Sequence, residues 1–514
     1  MKTRRPLGVA WKKFSWYVFL FAAYPVLALL ANNITQVSPW VALAPLVISM
    51  AGAGLMMVFL YLWLRDWRRA AVLTSFLTIL FFSYGHLYTL LKSITIGSFV
   101  VGRHRYMLSL WLILTIGSIV FVAKKPRIPS DFTRYLNVVA LVLVCLPLVQ
   151  LGVYQIKKQI AAPIDRRSSV SAEVSLSPGQ LAPDIYYIVL DGYARADILQ
   201  EAFDVDNRQF LLDLENLGFS VARCSQSNYN ETLLSLTSTF NMEYLQSLPP
   251  YRAEDRATSW INPYLENNRV RELLEGLGYQ TITFNHIYES LVWDDADIVY
   301  KSASEGILLN PFETFLLQTT PVYAWMDTNA IKPTDRDQAN RIDVLYALEQ
   351  LRQIPDIPGP KFVYVHLIIP HPPFVFGPNG EEVNIPYDAL AGDLYTEENY
   401  YRGYRDSITF INRQMLQILP SIISRSRVPP IIVLASDHGA DSVGGYEIDF
   451  LNLNAYYLPG ASSIVYDTIT PVNSFRVIFD TFFNGQYGLL PDNSYVLLDP
   501  ESSLSFSDVP NTCK

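Results

Sequence analysis

The chain has 514 residues, half of them hydrophobic and only 17% charged, against roughly 25% charged in an average soluble domain. Its net charge of −9 divides unevenly: residues 1–158 carry seventeen Lys+Arg and two acids, for +15, and the remainder carries −24. An acidic larger half argues against a nucleic-acid-binding protein, three cysteines are too few for a disulfide scaffold, and opposite charges in the two halves argue for two kinds of surface.

Five long apolar stretches fill the first half: Phe14–Ala31, Pro39–Leu64, Ala70–Leu91, Met107–Ala123 and Tyr135–Val153. Each is close to the length needed to cross about 30 Å of hydrocarbon as a helix. The first is too long, and lacks the small-residue cleavage site, for a removed signal peptide. Twelve basic residues fall on one side of these spans, in the N-terminal tail (Lys2, Arg4, Arg5, Lys12, Lys13) and in two connections (Arg65, Arg68, Arg69; Lys124, Lys125, Arg127, Arg134). The opposite loops hold only Lys92, Arg103 and Arg105. The positive-inside bias predicts a cytoplasmic N-terminus, so five crossings deliver the chain after Val153 to the outside of the plasma (inner) membrane. Within the third span His86 has two readings, a proton or substrate path and a neutral histidine bonded between helices. So few internal charges suit an anchor or lipid-facing platform better than a transporter.

Residues 154–182 are polar and Ser-rich and read as a linker. From residue 183 the pattern predicts buried strands at Asp184–Leu190, Tyr279–Phe284, Lys361–Leu367 and Pro430–Ala435. Between them, helices are predicted at Arg208–Leu217, Asn268–Leu277, Arg341–Gln353 and Tyr404–Leu419. Alternation of this kind predicts an α/β domain over 183–514 with a mostly parallel central sheet. Ligands of such sheets gather beyond the carboxyl ends of strands. Two acids stand there, Asp191 after IYYIVL and Asp437, followed by His438, after IIVLAS. They read as ligands of a hard cation. Thr232 lies where a loop enters a helix, with Asn230 as the expected cap. A hydroxyl in that first turn sits beside unpaired backbone N–H groups that suit an anion under attack. A metal ion bound to it would make an alkoxide nucleophile.

These residues resemble the alkaline phosphatase superfamily, in its sulfatase-like, membrane-anchored branch. PDIYYIVLDGYAR resembles the first strand of that fold, with Asp191 as the metal-binding acid. Thr232-Leu-Leu-Ser235-Leu resembles the element around the nucleophile, which implies Thr232 in that role, and VLASDHG resembles the metal-binding D-H-G element, which implies Asp437 and His438. His366-Leu-Ile-Ile-Pro-His371-Pro-Pro-Phe resembles the substrate-pocket element of phosphoethanolamine transferases, and its second half that of lipoteichoic acid synthases. The likeness covers roughly residues 183–490, and five spans followed by an outer catalytic domain is the architecture of both families. Three departures stand out. Cys224 lacks the context needed to form a formylglycine, Asp191 replaces the usual Glu, and no histidine follows His438.

The resemblance implies a metal-dependent transferase that moves a phosphoethanolamine or glycerol-phosphate group from a membrane phospholipid to an envelope glycan or lipid acceptor through Thr232. His371 is the implied general acid, and His366 and His371 the implied substrate-binding residues. One divalent ion is implied on Asp191, Thr232, Asp437 and His438; this donor set suits Mn²⁺ or Zn²⁺ alike, with Mg²⁺ third. The alternatives are a sulfatase-like hydrolase, a phosphodiesterase or atypical sulfatase using the same residues, and a catalytically inactive envelope binding protein. Oligomeric state and a Cys224–Cys513 disulfide stay open. Arg195 and Asn285-His286 have two readings, contact with substrate and a structural role, of which the structural one carries more weight; Trp293 reads as core.

Overall fold

In the computed structural model the described residues are 15–34, 37, 39–92, 94–96, 99–124, 128–161, 173–249, 261–288, 291–303, 309–326, 336–385, 387–388, 394–440, 448–499, 503–511 and 513. The basic tail before residue 15, with Lys125 and Arg127, lies outside them.

The apolar runs of the first half become helices α1 (Tyr17–Asn33), α2 (Leu43–Leu64), α3 (Trp67–Leu91), α4 (His104–Lys124) and α5 (Ser130–Ala161). Four of them are long and apolar enough to cross a membrane, whereas α1, at 17 residues, is shorter. Both acids of this half sit at helix starts. Asp66 caps α3 by accepting N–H bonds from Arg68 and Arg69 at 3.0 and 3.1 Å, and Asp131 lies in the first turn of α5. Each favours the positive end of a helix. Small residues let the helices approach closely, with Ala22, Ala53, Ala70 and Ala71 buried in their shared core. The outward faces carry large apolar side chains such as Leu55 and Phe59. His86 lies on an exposed face and makes no bond between helices, since Tyr84 and Gly85 take the inward positions. Cys145 is likewise exposed on α5.

A later segment packs with these helices. Residues Asn310–Met326 form a capped helix and a following turn, and the segment groups with the first unit of the chain.

The second unit is built on a seven-stranded sheet. In chain order its strands are β1 (Ile185–Leu190), β2 (Ser220–Val221), β3 (Gln280–Phe284), β4 (Ile298–Tyr300), β5 (Lys361–Leu367), β6 (Ile431–Ala435) and β7 (Asn454–Tyr457). Their spatial order is β2-β7-β6-β1-β5-β3-β4. The run from β6 to β4 is parallel, and β7 pairs antiparallel with both β6 and β2. Helices cover both faces, so the strands read as continuous apolar runs. Alternate residues divide between two cores: Ile188, Leu190, Val365 and Leu434 face one, Tyr187, Val189, Tyr364 and Ala435 the other. After β1 come helices α6 (Ala196–Phe203) and α7 (Arg208–Asn216), and the four helices expected from the sequence are present, Tyr404–Leu419 within a longer one, Glu397–Arg425.

At the entry end of the sheet Lys361 Nζ meets Asp184 Oδ2 at 2.7 Å, both side chains nearly sealed from solvent. Burial pushes the Asp184 carboxyl up, against the pull of Lys361. Lys361→Met would strand that carboxyl, and a loss of about 3–5 kcal/mol is expected. Urea denaturation checks this. The Asp184→Asn/Lys361→Met double variant should lose less than the two single losses together.

Cys224 and Cys513 are joined in a disulfide, with their Cα atoms 5.3 Å apart.

Candidate active site

Parallel register decides which side chains meet. Val189 on β1 pairs with His366 on β5 and with Ala435 on β6. Side chains alternate along a strand, so Asp191, two residues past Val189, and Asp437, two past Ala435, continue the face that carries His366. The three strand ends are laced together by backbone groups. Asp191 N–H donates to Leu367 O at 3.0 Å, and His371 N–H donates to Asp191 O at 3.0 Å. Gly192 N–H donates to Asp437 Oδ1 at 3.2 Å. Gly192 has φ +68°, a backbone conformation in which a side chain would be strained, and it sits beside His371 and His438.

Asp191, Asp437 and His438 are buried, and one potential ligand atom from each lies within 4.8 Å of the others. His438 Nδ1 is 2.8 Å from Gly439 O. A carbonyl only accepts, so Nδ1 carries the proton and Nε2 presents its lone pair. That Nε2 stands 3.4 Å from Asp191 Oδ1 and 3.5 Å from Asp437 Oδ2. Both of these oxygens are buried and accept no hydrogen bond among the described residues. Two carboxylate oxygens left bare of donors beside an imidazole lone pair are costly unless a cation joins them. The donor set fits a divalent metal ion.

Histidines fill the rest of the centre. His366 Nε2 lies 3.0 Å from Asp191 Oδ2. His371 holds its Nδ1 2.6 Å from Pro372 O, and its ring is 6.2 Å from that of His438. Burial pushes the Asp191 carboxyl up, but the imidazoles of His371, His366 and His438 outweigh it and hold the group below the usual carboxylate range.

Thr232 is the first residue of the helix Thr232–Asn241 (α8) and is half-buried. The cap position falls on Glu231, one residue later than expected, and no side chain caps the helix. Asn230 Oδ1 is buried without a partner instead. One turn on, Ser235 Oγ donates to Asp437 O at 2.6 Å, which ties α8 to the D-H-G strand end. Residues three apart share a helix face, so Thr232 stands on the face that Ser235 presents to this strand end. Burial raises the Glu231 carboxyl, and the nearby His438 opposes that rise. The loop before the helix is fixed by its own bonds: Ser227 N–H donates to Phe450 O at 2.7 Å, and Asn228 Oδ1 accepts from Val472 N–H at 2.8 Å.

His286, weighted toward a structural role from the sequence, stands beside the centre. Its ring is 5.1 Å from that of His366, and its buried Nε2 has no hydrogen-bond partner. Tyr288 N–H donates to its Nδ1 at 3.2 Å. Burial, aided by His366, pushes its pKa well down, so the ring is neutral. The available signal was its place two residues past the end of β3, where the strand-end rule also found Asp191. Arg195 has a structural role, pairing with Asp197 at 2.7 Å and donating to Ser225 O. Trp293 is core, packed on Tyr364 and Phe240.

No family model matches the sequence, and no curated protein does. Solved structures do resemble it. The C-terminal periplasmic domain of EptC from Escherichia coli, in complex with zinc, is 11% identical, covering 65% of this chain and 94% of its own at a TM-score of 0.42. The integral membrane lipooligosaccharide phosphoethanolamine transferase A (EptA) from Neisseria meningitidis is 12% identical, covering 91% of this chain and 94% of its own at a TM-score of 0.40. The phosphonate monoester hydrolase of Agrobacterium radiobacter is 12% identical, covering 61% of this chain and 80% of its own at a TM-score of 0.37.

Proposed function

We propose that this chain is a metal-dependent transferase anchored in the plasma membrane, moving a phospho-alcohol group from a phospholipid to an envelope glycan or lipid through Thr232. One observation carries the reading: two donor-bare carboxylate oxygens and an imidazole lone pair converge where α8 is pinned by Ser235. A divalent ion held by Asp191, Asp437, His438 and Thr232, whether Mn²⁺, Zn²⁺ or Mg²⁺, would supply Lewis acidity and lower the pKa of the Thr232 hydroxyl.

The residues do the rest. Thr232 Oγ1, whose proton passes to solvent water before the lipid binds, forms a bond to phosphorus as the phosphorus–oxygen bond to diacylglycerol breaks, and it leaves as the same alkoxide in the second step. His371 donates a proton to the departing oxygen, and His366 orients the anion. In the second step an acceptor hydroxyl oxygen bonds to phosphorus, Thr232 Oγ1 departs, and the acceptor's proton passes to His371, restoring it. The uncapped amides at the start of α8 face the same anion.

The expected topology is a cytoplasmic N-terminus, five crossings with α1 as the first, and residues 183–514 outside. A disulfide between Cys224 and Cys513 accords with an oxidising compartment. The test is to reconstitute the full chain in vesicles with headgroup-labelled phosphatidylethanolamine or phosphatidylglycerol. Diacylglycerol should appear while the label moves to an acceptor. Label released only as free headgroup phosphate would make the protein a hydrolase, and intact lipid with no bound metal would leave it a binding protein.

A further inference from the structure

Within the first unit a cavity of about 730 Å³ opens among α2, α3, α4 and the helix Pro311–Gln318. Its volume is within the range of small-molecule sites. Ile48, Gly52, Phe81, Trp111, Leu112 and Leu316 line it. Its polar side chains are largely engaged elsewhere. Ser49 Oγ donates to Ala22 O at 2.7 Å, Thr320 Oγ1 donates to Leu317 O at 2.7 Å, and the Glu313 carboxylate accepts from Asn310 N–H at 3.1 Å. Trp111 Nε1–H is likewise taken, donating to Leu80 O at 2.7 Å. Gly52 leaves room on the wall, since a Cβ added there meets nothing within 4 Å.

The mouth identifies the occupant. Ile48, Phe81 and Leu112 line the cavity and are also exposed on the outer apolar faces of α2, α3 and α4. The cavity is therefore continuous with the surface that faces hydrocarbon. A polar solute inside would forfeit its hydrogen bonds, whereas an alkyl chain forfeits none. The wall formed by Pro311–Gln318 is firmly seated. Gly85 N–H on α3 donates to Thr319 O at 2.9 Å, and a Cβ at Gly85 would lie 1.8 Å from Gln318 O. Phe312 and Leu316 pack with Val26 and Leu30 of α1.

We infer that this cavity seats one acyl chain of the donor phospholipid. The donor's identity rests on the transfer reading above, while occupancy by a chain rests on the cavity alone. The probe is phosphatidylethanolamine with a diazirine on one acyl chain, added to the full-length Thr232→Ala protein in lipid nanodiscs. After irradiation, mass spectrometry maps the adducts. They are expected on peptides spanning 45–56 and 309–321. Gly52→Trp fills the cavity and should cut labelling of 309–321 by about fivefold or more, as plugging a site of this size demands. Ile48→Trp at the mouth is the second blocking variant should Gly52→Trp not fold. Gly117→Trp, on α4 outside the cavity lining, should leave labelling unchanged. Labelling spread evenly over exposed faces, or unmoved by both blocking variants, overturns the site. Displacement by excess glycolipid but not by excess unlabelled phospholipid overturns its assignment to the donor. Specific labelling in a protein whose wild type turns over no lipid rejects the transfer reading and leaves the cavity standing.

Discussion

Thr232→Ala is expected to lower turnover by about 10⁴-fold or more, the scale on which removing a covalent nucleophile acts, with the fold intact. The side chain is half-buried at the first position of α8, and no described bond of the helix depends on its hydroxyl. The anchor of that helix is Ser235, bonded to Asp437 O, which the substitution leaves in place. Alanine at this position also suits a helix. Labelled phospholipid turnover read against circular dichroism separates chemistry from folding. A Thr232→Ser protein should keep part of the activity, because the hydroxyl survives. Full turnover by the alanine variant would remove Thr232 from the reaction.

Asp437→Asn is expected to strip the metal and lower turnover by about 10²–10³-fold, the scale of losing one electrostatic partner of a developing charge. Asp437 Oδ1 is occupied by the Gly192 N–H, so only Oδ2 faces His438. An amide in the same place offers no charge, and its NH₂ group can turn toward the Nε2 lone pair. Asp191→Asn should act in the same direction. It also removes the anion around which His366, His371 and His438 are gathered. Metal content by mass spectrometry, on protein purified without chelator, is the decisive reading. Full metal occupancy together with full turnover in Asp437→Asn would place the ion elsewhere.

Much of the site could be read along the chain because it obeys local rules. Asp191 and Asp437 each follow an apolar run of strand length, and such a run ends where ligands gather. The face shared by Asp191, His366 and Asp437 is not local. It follows from placing β1 between β5 and β6, where Val189 pairs with His366 and with Ala435, both far from it in sequence. His286 was weighted toward a structural role for the same reason, as its place beside the centre depends on His366, a residue from another strand. The cap moved from Asn230 to Glu231 because the loop before α8 is set by Phe450 and Val472, distant in sequence. The segment Pro311–Gln318 carries a clear capping box, which announces a helix but not its neighbours. Those depend on the fit of Gln318 and Thr319 against Gly85. The first apolar run was legible as a helix, yet α1 at 17 residues is shorter than the other four.

The disulfide has a consequence in time as well as in space. Cys224 stands just before the loop that presents Thr232, and its partner lies 289 residues later. The strand Ser494–Asp499 closes over the same loop, Tyr495 N–H donating to Asn228 O and Ser494 Oγ to Ser227 O. A chain that emerges N-terminus first therefore exposes the loop carrying Thr232 long before the parts that lock it. On the proposed transfer reading, competence would arrive only once residues beyond 490 have reached the same side, and half-exported chains would stay inert toward the lipids around them.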